Sequence, residues 1–116
     1  MARIDFNNQL RELGFEPHDL DGNKLCFDYE VPVGRNIGKK ITIGFEVRND
    51  YPMNCPPGPH FKSSGVPDWV EPPNNIHASP FGEGWRYWSR PFPDWNRTNR
   101  DAKVYLAHIK NLLAKL

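Results

Sequence analysis

The sequence predicts an α+β fold, with helices packed on one face of an antiparallel meander sheet. Three observations predict it. Residues 24–31 and 40–48 both alternate apolar and polar side chains, the period of a half-buried strand. The polar segment 32–39 between them suits a hairpin connection. The C-terminal residues carry an apolar stripe at helical spacing.

In chain order, Ile4, Phe6, Leu10 and Leu13 recur near helical spacing, with Asp5 suited to an N-cap and Gly14 to a stop. They predict a short amphipathic helix over 5–13. Residues 15–20 predict a brief strand, and Asp21-Gly22-Asn23 a turn. Along 24–31, Leu25, Phe27, Tyr29 and Val31 face one way and Cys26, Asp28 and Glu30 the other. Along 40–48, Ile41, Ile43, Phe45 and Val47 oppose Thr42, Gly44 and Glu46.

Tyr51-Pro52 and Pro56-Pro57-Gly58-Pro59 then break the sheet, because proline cannot donate to a central ladder. Residues 59–62 predict a third strand on the sheet edge. Residues 63–96 show no long period, and turns at Ser64-Gly65, Val66-Pro67, Pro72-Pro73 and Ser79-Pro80 predict a long ordered loop rich in Pro and Trp. Thr98 or Asn99 is expected to cap a final helix. Its stripe is Val104, Tyr105, Leu106, Ile109, Leu112, Leu113 and Leu116, with Arg100, Lys103, Lys110 and Lys115 on the wet side. Phe27, Tyr29, Ile43, Phe45, Leu106, Ile109 and Leu113 are the expected common core.

At 116 residues the chain is read as one domain, 1–116. Ten of its twelve prolines lie between Pro52 and Pro93, yet seven aromatic rings run through that region. A disordered Pro-rich linker would lack those rings. The net charge of +1 argues against a nucleic-acid binder. Charge is uneven, however. The segment 85–116 holds seven Lys/Arg against two Asp/Glu, and residues 1–84 hold eight against twelve. A basic C-terminal third is either a solvated helix face or a surface for an acidic partner. Cys26 and Cys55 form neither a CxxC pair nor a disulfide framework, which fits a reducing cytoplasm. The sequence holds no signal-type apolar stretch and no run long enough to span a membrane, so no membrane partner is expected.

The densest chemistry is Trp85-Arg86-Tyr87-Trp88-Ser89-Arg90. On a strand, Trp85, Tyr87 and Ser89 share one side and Arg86, Trp88 and Arg90 the other. These aromatics serve either as core anchors or as a partner-binding pocket, since Trp, Tyr and Arg dominate interface hot spots. Cys55 is a candidate nucleophile, with His60 as its base, or an incidental loop thiol. His77, near Asn74 and Asn75, either orients a carbonyl or satisfies loop backbone. His18, His60, His77 and His108 lack metal-ligand spacing, and Gly82-x-Gly84 does not open a helix, so neither a metal nor a cofactor is expected.

Several of these segments resemble the ubiquitin-conjugating (E2, UBC-like) fold. They are the apolar strand Ile41-Thr42-Ile43-Gly44-Phe45, the run Tyr51-Pro52-Met53-Asn54-Cys55-Pro56-Pro57, then Pro59-His60-Phe61, and Pro73-Asn74-Asn75-Ile76-His77. E2 proteins show Tyr-Pro-x-x-Pro-Pro there; this chain has one more residue before Pro56. Trp85 to Arg90, Trp95 and the closing helix resemble more closely the bacterial family known as prokaryotic E2 family E. The resemblance covers the chain from about Leu25 onward. It implies a ubiquitin-like modification or defence pathway, with a ubiquitin-like protein and an E1-like (ThiF-like) protein as partners. It also implies a thioester cysteine about eight residues beyond Asn74 or Asn75. Those positions are Gly82 and Glu83, and no cysteine follows Cys55.

The expected function is therefore an E2-like binding module without a thioester. The alternative is an active conjugating enzyme with a displaced nucleophile, Cys55 or Ser89. Trp85, Arg86, Trp88 and Arg90 are the expected partner-binding residues. Arg86 and Arg90 would hold the carboxylate of an extended tail, unless they pair with acidic residues of the first 84.

Overall fold

The computed structural model describes residues 2–63 and 65–116. Its first element is helix α1, Ala2–Glu12. Strands β1, His18–Asp19, and β2, Lys24–Glu30, follow, and β3, Lys40–Glu46, completes the predicted hairpin. The remaining strands are β4, His60–Lys62, β5, Ile76–Ala78, and β6, Trp85–Trp88. A 3₁₀ turn at Trp95–Arg97 leads into helix α2, Ala102–Ala114.

The six strands form one antiparallel sheet in the order β1-β2-β3-β4-β6-β5. Register follows the hydrophobic pattern. Leu25 faces Phe45, Phe27 faces Ile43 and Tyr29 faces Ile41, all on the covered side. A one-residue slip would turn all six outward, so the pairing is strongly specified.

Both helices dock on that side. Phe6 of α1 meets Phe45 edge-on at 5.6 Å, and Tyr105 of α2 meets the same ring at 4.9 Å. The Gln9 side-chain oxygen accepts from the Tyr51 hydroxyl at 2.6 Å and from the Ala102 amide at 2.9 Å. One side chain thus ties α1, the Pro-rich loop and the start of α2.

The α+β class and the hairpin stand as expected, and six of the seven expected core residues are buried; Leu106 is only partly so. Four details differ. Helix α1 begins at Ala2, so Asp5 lies in its first turn and does not cap it. Asp101, not Thr98 or Asn99, caps α2, accepting from the Val104 amide at 2.9 Å. Thr98 instead accepts from the Arg100 amide, and the left-handed Arg100 (φ 55°) separates that turn from the helix. The third predicted strand, β4, is interior rather than an edge, because β6 pairs with it. Pro59 permits this by standing just before the strand and accepting from the Trp88 amide at 2.9 Å. The long loop 63–96 contains two strands: β5, too short to show a period, and β6, within the stretch Trp85 to Arg90 whose sides the sequence reading assigns by strand alternation. The predicted turn at Ser64-Gly65 includes Ser64, which lies outside the described residues.

Loop 66–70 is held by Asn36, which is buried. Its side chain exchanges two hydrogen bonds with the Val70 backbone, at 2.9 and 2.8 Å, as a neighbouring strand would. Among the described residues, no helix is long and apolar enough to cross a membrane.

Candidate functional site

Strand β6 lies between β4 and β5, so its two sides differ sharply. Trp88 is 3 % exposed and meets Phe61 edge-on at 6.5 Å, inside the core. Arg86, on the same side but at the far end of the strand, forms an exposed ion pair with Glu71 at 3.4 Å. Exposed pairs of this kind contribute little. Trp85 turns to the other face and packs on Phe81 at 5.0 Å.

The four expected partner-binding residues therefore do not share one surface. Of the alternatives the sequence left open, Trp88 takes the core-anchor role and Arg86 pairs with an acidic residue of the first 84, Glu71.

Arg90 has a different setting. It follows the end of β6, with its guanidinium carbon 5.9 Å from the Trp88 ring. Its Nε is buried and has no hydrogen-bond partner among the described residues. An unpaired buried donor on a charged group costs stability.

Arg90 lines a groove of about 410 Å³ with Cys55, Gly58, Tyr87, Ser89 and Phe92. One wall is the Pro-rich loop, the other the end of β6 and the segment after it. The walls meet backbone to backbone. A Cβ on Gly58 would fall 2.1 Å from the Trp88 carbonyl oxygen and 2.9 Å from the Arg90 nitrogen, so only glycine fits there. The Tyr105 hydroxyl anchors the loop from below by donating to the Pro57 carbonyl. Two candidates far apart in sequence, Cys55 and Ser89, are thereby brought to one groove beside a cation.

Its chemistry favours binding over attack. Burial pushes the Cys55 thiol up to about 12, so at neutral pH it holds its proton. The base expected for it, His60, is engaged elsewhere. Its Nδ1 is 2.8 Å from the Ser79 hydroxyl, and its ring lies between Phe81 at 4.3 Å and Tyr87 at 4.6 Å. Burial pulls His60 down to about 4; Glu46 opposes that shift and Lys24 adds to it. This corrects the Cys55–His60 pairing expected from their spacing.

Ser89 shows no hydrogen bond to a base among the described residues; its amide donates to the Asn75 carbonyl at 2.9 Å. Asn75 is left-handed (φ 62°) and joins the loop to β5 through its backbone. His77 is exposed on the sheet's outer face, opposite Tyr87 and 6.2 Å from its ring. Cys26 also lies on that outer face, its thiol pushed up by burial and then by Asp28.

Sequence reasoning missed Gly58 and Phe92 as parts of the groove. It also missed His108, which stacks on Phe92 at 4.3 Å with planes 8° apart. The Pro-Pro-Gly-Pro spacing was the available signal for Gly58, since a glycine among prolines marks close backbone approach. Among the described residues, no group of three or more His, Cys, Asp or Glu is placed to hold a metal ion. Comparison with protein-family models, curated proteins and solved structures gives no match.

Proposed function

We propose that this chain is an E2-like binding module with the UBC-like fold, acting in the cytoplasm in a bacterial ubiquitin-like modification or defence pathway. It holds the extended tail of a ubiquitin-like protein in the Cys55–Arg90 groove, in cooperation with an E1-like (ThiF-like) partner, without forming a thioester. One observation carries the reading. The groove pairs a proton-holding thiol with a guanidinium that makes no ion pair among the described residues. Such a site holds its thiol protonated and offers a cation to an anion, and a terminal carboxylate suits a guanidinium geometrically. The meander β2-β3-β4, the Pro-rich crossover and the closing helix are compatible with the fold that the motifs resemble.

The test has two arms. Fluorescence anisotropy compares an extended peptide with a free C-terminal carboxylate against its C-terminal amide. The carboxylate form is expected to bind more tightly; equal binding contradicts a carboxylate site. In the second arm, the chain is incubated with a ubiquitin-like protein, its E1-like enzyme and ATP. No reducible or hydroxylamine-sensitive adduct is expected. An adduct on Cys55 or Ser89 would replace this reading with that of a conjugating enzyme.

A further inference from the structure

Part of the positive charge of the C-terminal third lies on α2, away from the groove at Cys55. Helix α2 carries Lys103 and Lys110 and no acidic residue. Among the described residues, the ion pairs involve Arg3, Arg48, Arg86 and Arg97, and neither of these lysines. Both are exposed. They stand seven residues apart, two helical turns, which places them about 10 Å apart on one side of the helix.

Between them lies apolar surface. Leu106 and Ala107 of α2 form one wall of a second groove, of about 290 Å³, and Leu13 and Phe15 form the other. Leu13, in the turn just past the end of α1, is 39 % exposed. Gly14, left-handed at φ 94°, turns the chain there, and Phe15 folds back onto Phe27 at 4.9 Å. Among the described residues no carboxylate lines this groove, although Glu12 and Glu16 lie nearby in the chain.

An apolar trough between α2 and the turn that follows α1, with a lysine at each end, has the shape and charge of a helix-in-groove receptor. We propose that it docks a helical segment of a partner protein carrying two carboxylates at the same seven-residue spacing, with aliphatic side chains between them. The aliphatic residues would cover Leu13, Leu106 and Ala107, and each carboxylate would meet one lysine. A second copy of this chain is a poor occupant, because its own α2 would bring lysines against lysines. The inference is independent of the reading of the Cys55 groove, which lines different residues.

The probes are two helical peptides, alike except that one carries Glu and the other Lys at the two flanking positions. Binding to the ¹⁵N-labelled chain is followed by amide shifts. The Glu peptide is expected to bind on the order of tenfold more tightly than the Lys peptide, with shifts centred on Leu13, Phe15 and residues 103–110. The double variant Lys103→Glu/Lys110→Glu changes only exposed side chains, so it should keep its melting transition and reverse the preference. Equal binding of both peptides, or shifts centred on Cys55 and Arg90, overturns the proposal. So does self-association that the double variant abolishes. Binding to vesicles of anionic phospholipid that is lost in the double variant, with neither peptide bound, assigns the lysines to a lipid surface and also overturns it.

Discussion

Replacing Gly58 with alanine adds one methyl group and removes nothing, so its cost reports how tightly the two groove walls meet. The new Cβ would lie 2.1 Å from the Trp88 carbonyl oxygen and 2.9 Å from the Arg90 nitrogen. An unstrained carbon–oxygen contact is about 3.3 Å or more, so one wall must retreat by roughly 1 Å. Both neighbours are backbone atoms of β6 or its continuation, so no side chain can simply rotate away. The Pro59–Trp88 hydrogen bond, 2.9 Å long, lies one residue from the clash and weakens with it. Overpacking of this kind costs about 1–3 kcal/mol, and a lost backbone hydrogen bond about 1 more. The narrower unfolded ensemble of alanine offsets about 0.4–1 kcal/mol. The net expectation is a loss of about 1–3 kcal/mol, or a melting temperature lower by roughly 5–12 °C for a chain of this size. Thermal and urea unfolding measure it directly. An unchanged or higher midpoint in Gly58→Ala would show that the Pro-rich loop is not seated on β6, and the groove would lose its floor.

Three further predictions test other parts of the structure. Ile109→Ala removes a buried side chain that borders Ile43, Trp88 and Leu113, and should cost about 2–5 kcal/mol in urea unfolding; an unmoved midpoint means that α2 does not dock on the sheet. His60 is held at about 4 against an ordinary 6.5, so its contribution to stability is complete above pH 6.5 and lost as pH falls from 6.5 towards 4. His60→Gln should flatten the fall of melting temperature across that window, and an identical slope in the variant rejects the assignment. Cys55→Ser should leave binding of a carboxylate-terminated peptide intact, and iodoacetamide should label the folded chain at Cys55 slowly at pH 8; rapid labelling there would reveal an accessible thiolate.

The parts legible in the sequence were those with a long period and one buried face. The hairpin of β2 and β3 was readable because seven residues on each strand alternate, and only one register buries Leu25, Phe27, Tyr29, Ile41, Ile43 and Phe45 together. Strands β4 and β5, with three residues each, are too short to carry a period, while β6, with four, lies in the stretch read by strand alternation. Their pairing is a tertiary fact, set by Phe61 and Trp88 meeting inside the core. The same limit applied to the site. The sequence singled out Cys55, Ser89 and Arg90 by residue type, but their meeting depends on Gly58 allowing the loop to lie against β6. The role of Trp88 stayed open for a simple reason: strand alternation assigns it to the side of Arg86, and says nothing about which side the helices cover.

The central claim, that Arg90 receives a carboxylate in the groove, is tested most directly by Arg90→Met. Methionine retains an apolar stem over Trp88 and removes the charge and the donors. Titration of a carboxylate-terminated extended peptide, read beside a melting curve, separates the two roles that Arg90 could play. The account predicts affinity about tenfold lower, roughly 1.4 kcal/mol, with a melting temperature close to that of the parent chain. A variant that melts several degrees lower yet binds the peptide undiminished would make Arg90 a structural partner of Trp88 and contradict the account.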